Sequence, residues 1–435
     1  MMGEDPRSGS PYEGYLYAYP HKTAYRPLRP RPALRDVWAA ERRDALFAYL
    51  HIPFCEMRCG FCNLFTRANP EGDQVEAFLR QVEREADAVA DAIGPARFAL
   101  GAVGGGTPTY LDPEQLARVL GILRRVAGPV ALSVETSPAT ATPERLAVLE
   151  EHGVHRVSMG VQSFLDAEAH AAGRPQRRSQ VDAALTAIRG AGPAVLNLDL
   201  IYGIDGQTPA TWRESLTAAL AWRPEEIYLY PLYVRPLTGL GRRSAGPSAD
   251  WDAQRLELYR LGRDQLRAAG YRQLSMRQFR RADVAEPDSD YCCQDDGMVG
   301  IGCGARSYTT ELHYSFDYAV SVRGVRGVIA DYLARDPADF RLAEVGYALD
   351  GAEQRTRWLV KSLLRAEGCD RAAYATRFGG EVLADFPRLA ELGDWCQVDS
   401  GRIRLTDEGL AHSDRIGPWL VSPTVRQAMG GYALR

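Results

Sequence analysis

The stretch HIPFCEMRCGFCNLFT, residues 51–66, contains three cysteines with the spacing C-x3-C-x2-C. This spacing differs from the paired ligands of a zinc finger and from a two-cysteine redox motif. A tetrahedral zinc site would need a fourth ligand, and the next cysteine along the chain is Cys292. Three thiolates fit three irons of a cubane iron–sulfur cluster and leave the fourth iron open for chemistry. The stretch therefore predicts a catalytic cluster held by Cys55, Cys59 and Cys62.

The bulk composition excludes several classes of protein. The chain has 435 residues, 46% of them hydrophobic, and a net charge of −4. It is thus an ordinary globular chain with no overall attraction to nucleic acid or to an anionic membrane. Eight cysteines in so long a chain do not resemble a secreted disulfide framework, which favours a reducing cytoplasm. We expect no signal peptide, and no window approaches the roughly 20 apolar residues of a membrane-spanning helix.

Short apolar runs alternate with longer amphipathic stretches from Leu46 onward. This alternation is typical of parallel strands joined by crossover helices, in a partial barrel or a doubly wound sheet. In a partial barrel the loops at the carboxyl ends of the strands meet on one face, and the first loop carries the three cysteines. The predicted strands are 45–52, 98–105, 131–136, 156–161, 195–203 and 227–234, and the predicted helices include 73–93, 142–153 and 211–222. Asp112 and Thr142 are predicted to cap two helices, because each precedes a proline and a glutamate.

The chain divides into four predicted segments: an arm at 1–44, a barrel at 45–240, a substrate-side extension at 241–345 and a small helical domain with a wing-like hairpin at 346–435. The arm is rich in tyrosine, proline and arginine and lacks helical or strand periodicity. It has two interpretations. It is either a solvated extension or a segment that folds over the active site and offers Arg26, Arg29 and Arg31 to an anionic substrate.

Polar residues end several of the predicted strands. Glu135, Gln162 and Asp199 would each ordinarily be structural, but together they would form a ring able to bind a polar cofactor. Arg174 is suited to pairing with a carboxylate. The run GGGTPTY, residues 104–110, lacks the Gly-Lys-Ser/Thr ending of a phosphate loop. We expect its backbone to approach a ligand closely, with peptide groups free to bind an amino or carboxylate group.

Other candidates have more ordinary interpretations. His51 ends a strand pattern and is expected to be packed or hydrogen-bonded rather than a metal ligand. The run GIGCGA, residues 300–305, matches a dinucleotide fingerprint, but no clear strand precedes it, so we expect a turn packed against the barrel. An adjacent pair of cysteines cannot easily direct both thiols at one metal, so the remaining cysteines are interpreted as free thiols. They are Cys292, Cys293, Cys303, Cys369 and Cys396.

Six motifs, in order, resemble one known family. They are YLHIPFCEMRCGFC, GGGTPTYL, SVETSP, RVSMGVQSF, LNLDLIYGIDGQT and GIGCGA. They are similar to the radical S-adenosylmethionine enzymes of the oxygen-independent coproporphyrinogen III oxidase family, from about Tyr49 into the 300s. The later run RIRLTDEGL is similar to the family's carboxyl-terminal domain. The resemblance implies a cytoplasmic enzyme with a partial (β/α)6 barrel.

The resemblance also implies cofactors and site residues. A 4Fe-4S cluster would be bound by the three cysteines, and S-adenosylmethionine would chelate its open iron. Reductive cleavage would yield a radical that abstracts hydrogen from a small organic substrate, porphyrin-like in the oxidase, with an electron from a flavodoxin or ferredoxin. By matching motif positions, the residues that contact this S-adenosylmethionine are Tyr49, Gly105, Gly106 and Glu135, and Glu135 is the catalytic candidate. Those of a second site, which holds another S-adenosylmethionine in the oxidase, are Phe61, Thr107, Gln162, Arg174, Asp199 and Tyr233.

Two departures from the family pattern leave the reaction open. In the oxidase a further cysteine follows two residues after the last ligand, and here that position is Leu64. The family's haem-chaperone branch also lacks this cysteine, but its His-Asn-x-x-Tyr signature is replaced here by DSDYCCQDDGMV, residues 288–299. A third branch uses the second S-adenosylmethionine for C-methylation or cyclopropane formation. The expectation is therefore an oxidase-like hydrogen-abstracting enzyme, with a C-methyltransferase or cyclopropanase and a haem-binding chaperone as alternatives.

Overall fold

The computed structural model describes residues 5–243, 246, 248–284 and 292–433. Its centre is a sheet whose parallel strands pair in chain order, as predicted for an α/β partial barrel. The barrel strands are β1 (Leu46–Ile52), β2 (Phe98–Gly105), β3 (Ala131–Thr136), β4 (Val154–Gln162), β5 (Val195–Tyr202) and β6 (Glu226–Pro231). The helices that join them are α1 (Gln74–Ile93), α2 (Pro113–Ala127), α3 (Pro143–Glu151), α4 (Arg178–Ala191) and α5 (Pro209–Ala221).

Alternation along the strands decides which side chains face the helices. Leu46, Ala48, Leu50 and Ile52 of β1 have no exposed surface, because they lie in the apolar layers between sheet and helices. Burial of each large apolar side chain of this kind contributes about 1.5–3 kcal/mol. The alternate residues, such as Tyr49, point to the inner face of the barrel. The helices thus lie outside the sheet and leave its inner face to polar side chains.

The helix starts differ in one detail from the prediction. Asp112 caps α2, because its carboxylate accepts the backbone N–H of Gln115 at 2.9 Å. Thr142 occupies the same place before α3 but makes no side-chain bond to the helix backbone. Its hydroxyl accepts a hydrogen bond from Arg145 at 3.3 Å instead.

The sheet continues beyond both ends of the barrel. Strand β7 (Met298–Ile301) pairs parallel to β1, and β8 (Arg306–Tyr308) pairs antiparallel to β7. The expectation that no strand precedes the GIGCGA turn is therefore wrong, because β7 is too short to show a period in the sequence. The outer strands on this side are Leu312–Ser315, Val345–Ala348 and Arg26–Pro27, and those beyond β6 are Gln278–Arg281 and Tyr271–Gln273.

The carboxyl-terminal region has a hydrophobic core of its own. Strands Cys396–Val398 and Arg402–Leu405 form the predicted hairpin, and helix Asp407–Ala411 follows it. Strand Cys369–Asp370 completes this three-stranded sheet. The other helices of the region are Gly351–Leu363, Arg371–Phe378, Val382–Asp385, Ser413–Leu420 and Pro423–Gly430, with a 3-10 segment at Pro387–Trp395.

Shorter elements connect these parts of the chain. The helices are Leu34–Trp38, Asp166–Ala171, Ala249–Ala268, Cys293–Asp296 and Val322–Leu333, with 3-10 turns at Lys22–Ala24, Pro108–Tyr110 and Pro337–Arg341. Two short strands, Phe54–Cys55 and Arg67–Ala68, pair with each other. None of the helices within the described ranges has the length and apolar content needed to cross a membrane. The predicted segment boundaries stay predictions, and β7 of the 241–345 segment belongs to the barrel sheet.

The amino-terminal arm is packed onto the protein and is not a solvated extension. Tyr19 and Trp38 are fully buried, and Tyr19 lies in the carboxyl-terminal core. Two of the three arm arginines are engaged within the chain. Arg26 donates to backbone carbonyls, including that of Ala428, and Arg31 pairs with Asp339 at 3.1 Å. Arg29, which is exposed, is the only one of the three that makes no such bond among the described residues.

Candidate functional site

The loop after β1 carries three thiols to the carboxyl ends of the barrel strands. Cys55 Sγ lies 3.0 Å from Oγ1 of Thr107, the second residue after β2. Arg174, in the loop after β4, has its Nη1 3.8 Å from Cys59 Sγ. Cys62 completes the loop and is half-buried. The cysteine loop therefore crosses the mouth of the barrel from the second strand toward the fourth.

The chemistry of these thiols fits an iron–sulfur cluster better than a single ion. The eight cysteines all lie in the described part of the chain, and each has a free thiol. The described residues contain no group of three side chains placed to hold one metal ion, whose cysteine ligands would lie at about 2.3 Å. A cluster binds each thiolate at a different iron and so accepts wider spacing. Burial raises the pKa of the Cys55 thiol to about 12, so this thiol needs a positive metal to ionise at neutral pH.

Gly60 allows the cysteine loop to pack closely against neighbouring backbone. Its N–H donates to the Gly173 carbonyl at 3.0 Å, and its own carbonyl accepts the Leu240 N–H at 2.7 Å. A Cβ at position 60 would lie 2.8 Å from the Ala172 carbonyl oxygen. Phe61, next in the chain, packs against the apolar cluster that includes Ala172 and Leu240. These contacts hold the loop in place around Cys59.

The three glycines at 104–106 are required by close neighbours or by the backbone conformation. A Cβ at Gly104 would lie 2.9 Å from the carboxyl carbon of Glu135. Gly105 has a φ of +123°. A Cβ at Gly106 would lie 2.3 Å from the carbonyl oxygen of Phe54. Close packing of β2 against the loop after β1 and against Glu135 explains why all three positions lack a side chain.

The expectation that peptide groups of this run are free to bind a ligand is wrong for its N–H groups. Gly105 N–H donates to Oε2 of Glu135 at 3.0 Å. The N–H groups of Gly106 and Thr107 donate to the carbonyls of Ile52 and Phe54 at 2.7 and 2.8 Å. These bonds connect the end of β2 to the end of β1. The run thus holds Glu135 and the cysteine loop in one framework.

Gly106→Ala is expected to lower the free energy of unfolding by about 1–3 kcal/mol, because the new methyl group would overpack against Phe54. Gly121→Ala in α2 is the matched control, since a Cβ there meets nothing within 4 Å. That control should raise stability by up to about 1 kcal/mol, because alanine is the better helix former. Urea denaturation of both variants measures the difference. Equal stability of Gly106→Ala and the wild type would contradict the packing argument.

Acidic side chains lie inside the barrel. Glu135 on β3 is an exposed residue whose carboxylate lies against Gly104 and Gly105, and the surrounding protein raises its pKa to about 7, with Asp199 adding to the effect. Asp199 on β5 accepts a hydrogen bond from Asn197 at 2.8 Å, and burial raises its pKa to about 6. Tyr49 on β1 lies near Glu135, and burial of the phenol, together with the charge of Glu135, raises the tyrosine pKa. Carboxylates at a poorly hydrated wall are suited to an ammonium ligand.

Three further predicted positions have distinct surroundings. His51 is buried and hydrogen-bonded as expected: its Nε2 donates to the Phe65 carbonyl at 3.1 Å, and burial lowers its pKa to about 4. Gln162 has a φ of +68°, a conformation uncommon outside glycine and frequent at functional sites. Tyr233 points elsewhere, because its hydroxyl donates to the carboxylate of Asp414 in the carboxyl-terminal region. The structure thus does not bring the Tyr233 hydroxyl to the other candidates.

Two polar residues beside the cysteines were missed by sequence reasoning. Glu56 lies between Cys55 and Cys59 in the chain, and its carboxylate accepts the Ser137 hydroxyl at 2.7 Å. Its other oxygen lies 3.4 Å from Cys55 Sγ. Ser137 belongs to the SVETSP motif, and this motif could have identified it from the sequence. Outside this loop, Cys303 and Cys369 are buried, whereas Cys292, Cys293 and Cys396 are half-buried, and their roles stay predictions.

Comparison with known proteins gives a consistent family. The Radical SAM superfamily model matches residues 49–219. The oxygen-independent coproporphyrinogen III oxidase of Bradyrhizobium diazoefficiens is 31% identical over 83% of this chain and 82% of its own length. The heme chaperone HemW of Bacillus subtilis is 27% identical over 86% of this chain and 94% of its own length. Relatives with both names therefore span most of the chain.

The fold also matches a solved structure. The coproporphyrinogen III oxidase HemN of Escherichia coli superposes with a TM-score of 0.74, at 23% identity, over 88% of this chain and 92% of that one. The match shows that the two chains share their fold over most of their length.

Proposed function

Since the chain belongs to the oxygen-independent coproporphyrinogen III oxidase-like family of radical S-adenosylmethionine proteins, we propose that it is an enzyme that cleaves S-adenosylmethionine and abstracts hydrogen from a small organic substrate. The observation that carries the proposal is the placement of three free thiols at the mouth of the barrel, next to Thr107 and Arg174. Their proposed cofactor is a 4Fe-4S cluster. The free thiols of all eight cysteines support a reducing cytoplasm as the working compartment.

Each candidate residue has a proposed role. The cluster, when bound, supplies the electron for cleavage, which it receives from an external reductant such as a flavodoxin or ferredoxin. Tyr49, Gly105, Gly106 and Glu135 hold the first S-adenosylmethionine, with the Glu135 carboxylate facing its ammonium group. A second S-adenosylmethionine is the proposed ligand of Phe61, Thr107, Gln162, Arg174, Asp199 and Tyr233. Tyr233 is the least supported of these, because its hydroxyl already donates to Asp414.

Product analysis tests this proposal. The protein is reconstituted with iron and sulfide without oxygen and incubated with S-adenosylmethionine and dithionite, and the small products are measured by mass spectrometry. We expect 5′-deoxyadenosine. S-adenosylhomocysteine or methylthioadenosine alongside it would favour the C-methyltransferase or cyclopropanase alternative. A protein with full iron content that forms none of these products would contradict the proposed activity.

A haem-binding chaperone is the second candidate, because relatives named heme chaperone match most of the chain. The replacement of the His-Asn-x-x-Tyr signature argues against it. Of the replaced stretch, residues 288–291 lie outside the described residues, and Cys292 begins the described part that follows. Titration with haem at micromolar concentration separates the two functions. A saturable Soret band would favour the chaperone.

The affinity for S-adenosylmethionine is expected to fall as the pH drops from 7.5 through about 7. Glu135 has a pKa of about 7, so acidification protonates the carboxylate that faces the ligand. The ligand's ammonium stays charged there, because an α-amino group has a pKa of about 7.7–8.0. Glu135→Gln should weaken binding at pH 7.5 by about 10-fold, as expected for loss of a charged hydrogen bond, and should remove this pH dependence.

Calorimetry of the reconstituted protein between pH 5.5 and 7.5 measures this effect. Glu151→Gln is the matched control, because Glu151 is exposed at the end of α3. The control should keep the wild-type affinity and pH profile. An unchanged pH profile in Glu135→Gln would remove Glu135 from the proposed site.

A further inference from the structure

Arg306 lies on the inner wall of the barrel beside the proposed S-adenosylmethionine site. Gly300 of β7 pairs with Tyr49 of β1, and a Cβ at Gly300 would lie 2.2 Å from the Arg306 carbonyl oxygen. Arg306 and Tyr49 therefore stand in one row across three adjacent strands, with glycine between them. Side chains in one row of a sheet point to the same face. The guanidinium thus faces the barrel interior.

The neighbours of this guanidinium are phenols. Arg306 Nη1 donates to the Tyr17 hydroxyl at 2.9 Å, and its Nε donates to the Tyr308 hydroxyl at 3.0 Å. No carboxylate of the described residues lies within 4 Å ion-pairing distance of Arg306. Arg306 is half-buried, whereas each of the six fully buried arginines of the described chain pairs with an acid. The pairs are Arg67–Glu71, Arg255–Asp252, Arg277–Asp414, Arg280–Glu226, Arg357–Asp295 and Arg415–Glu13.

A second cation lies close to Arg306. Lys22 of the arm has its Nζ 3.5 Å from the centre of the Tyr318 ring and makes no ion pair with a described carboxylate. Burial and the nearby charge of Arg306 hold the pKa of Lys22 well below its ordinary value. The Tyr318 hydroxyl donates to the carbonyl of Asn63, the residue after Cys62, at 2.9 Å. The two cations therefore lie between the barrel wall and the cysteine loop.

We propose that Arg306 and Lys22, with the hydroxyl of Tyr17, form a binding site for a carboxylate of the substrate. A guanidinium without a counter-ion in a poorly hydrated space favours entry of an anion. The bound anion would in turn raise the pKa of Lys22 and hold its amine in the charged ammonium form. Charge-assisted hydrogen bonds from both cations would fix its position. The inference rests on the proposed function, because the site adjoins Tyr49 and the cysteine loop. It makes Arg306 a specificity-determining residue that selects an anionic substrate.

Porphyrin binding without S-adenosylmethionine tests this site. The probes are coproporphyrin III, a tetracarboxylate, and its uncharged tetramethyl ester, titrated into the protein and followed by porphyrin fluorescence. We expect the wild type to bind the tetracarboxylate more tightly than the ester. Arg306→Gln should weaken binding of the tetracarboxylate by about 10-fold or more, as for loss of a hydrogen bond to a charged group, and leave the ester unaffected.

Matched variants keep the test decisive. Arg35→Gln removes an exposed arginine in helix Leu34–Trp38 of the arm and should bind both probes as the wild type does. Arg306→Lys retains the charge but not the forked donor geometry and should bind the tetracarboxylate with intermediate affinity. It replaces Arg306→Gln in the test if that variant does not fold. Tyr17→Phe should weaken the same probe by a smaller factor, because it removes a neutral hydroxyl.

Three outcomes would overturn the proposal. The first is wild-type affinity for the tetracarboxylate in a folded Arg306→Gln protein. The second is a loss of S-adenosylmethionine affinity alone, which would assign the guanidinium to the carboxylate of that cofactor. The third is the absence of saturable tetracarboxylate binding by the wild type. Cleavage of S-adenosylmethionine is measured separately by 5′-deoxyadenosine, so failure of this site and failure of the proposed activity are distinguishable.

Discussion

Cys59→Ala is expected to lower both iron content and S-adenosylmethionine cleavage by more than about 100-fold. Loss of a residue that only supports a metal ligand already lowers metal affinity or activity by about 10–100-fold, and loss of a ligand itself should cost more. Cys59 is the most buried of the three proposed ligands and lies beside Arg174. A cluster with two thiolates would expose a second iron to solvent and would lose its anchor at the middle of the loop. Iron and sulfide analysis after anaerobic reconstitution measures the first effect. The yield of 5′-deoxyadenosine measures the second.

Cys396→Ala is the control for this substitution. Cys396 is a half-buried free thiol in the hairpin strand Cys396–Val398 of the carboxyl-terminal region. Its removal should leave iron content and turnover at wild-type values. Full iron content and unchanged cleavage in Cys59→Ala would refute the ligand assignment.

Asp414→Asn is expected to lower the free energy of unfolding by about 3–5 kcal/mol, the usual cost of removing one charged partner of a buried ion pair. Asp414 and Arg277 pair in the interior, and their side chains are 1% and 4% exposed. The same carboxylate accepts the hydroxyl of Tyr233, and the Arg277 guanidinium lies 3.7 Å from the ring of Tyr15 in the arm. The pair thus connects the barrel, the arm and the carboxyl-terminal region. Its loss leaves an uncompensated guanidinium among aromatic rings.

Arg31→Gln is the matched control for the loss of a pair. Arg31 and Asp339 pair at 3.1 Å, but their side chains are 41% and 36% exposed. Removal of this pair should cost less than about 1 kcal/mol, because water screens exposed charges. Urea denaturation followed by circular dichroism compares the variants. The double variant Asp414→Asn/Arg277→Met should recover most of the free energy of unfolding that Asp414→Asn loses, because no unpaired charge remains. If the free energy of unfolding of Asp414→Asn lay within about 1 kcal/mol of that of Arg31→Gln, the buried pair would not be a stabilising contact.

Local patterns were sufficient for the barrel strands and for the cysteine loop. The strands at 98–105 and 131–136 were predicted with the bounds that the structure has. Each has apolar residues whose burial against helices is visible as a short periodic run. His51 was predicted as a packed residue, because it ends such a run, and the structure confirms it. The expectation of free N–H groups in the glycine run was wrong, because their partners lie far away in the chain. These partners are the carbonyls of Ile52 and Phe54 and the carboxylate of Glu135.

The sequence patterns by themselves determined a sheet of parallel strands joined by helices and a three-cysteine loop after its first strand. Both features depend on residues close together in the chain, whose periodicity or spacing carries the information. The choice of a partial barrel over a doubly wound sheet came from the family resemblance. Only the tertiary structure decided that β7 pairs with β1, that the arm packs onto the carboxyl-terminal core, and that Arg306 faces the interior beside Tyr49. These contacts join segments far apart in sequence. Their register is set by burial and by pairing across the whole fold, and no local pattern records it.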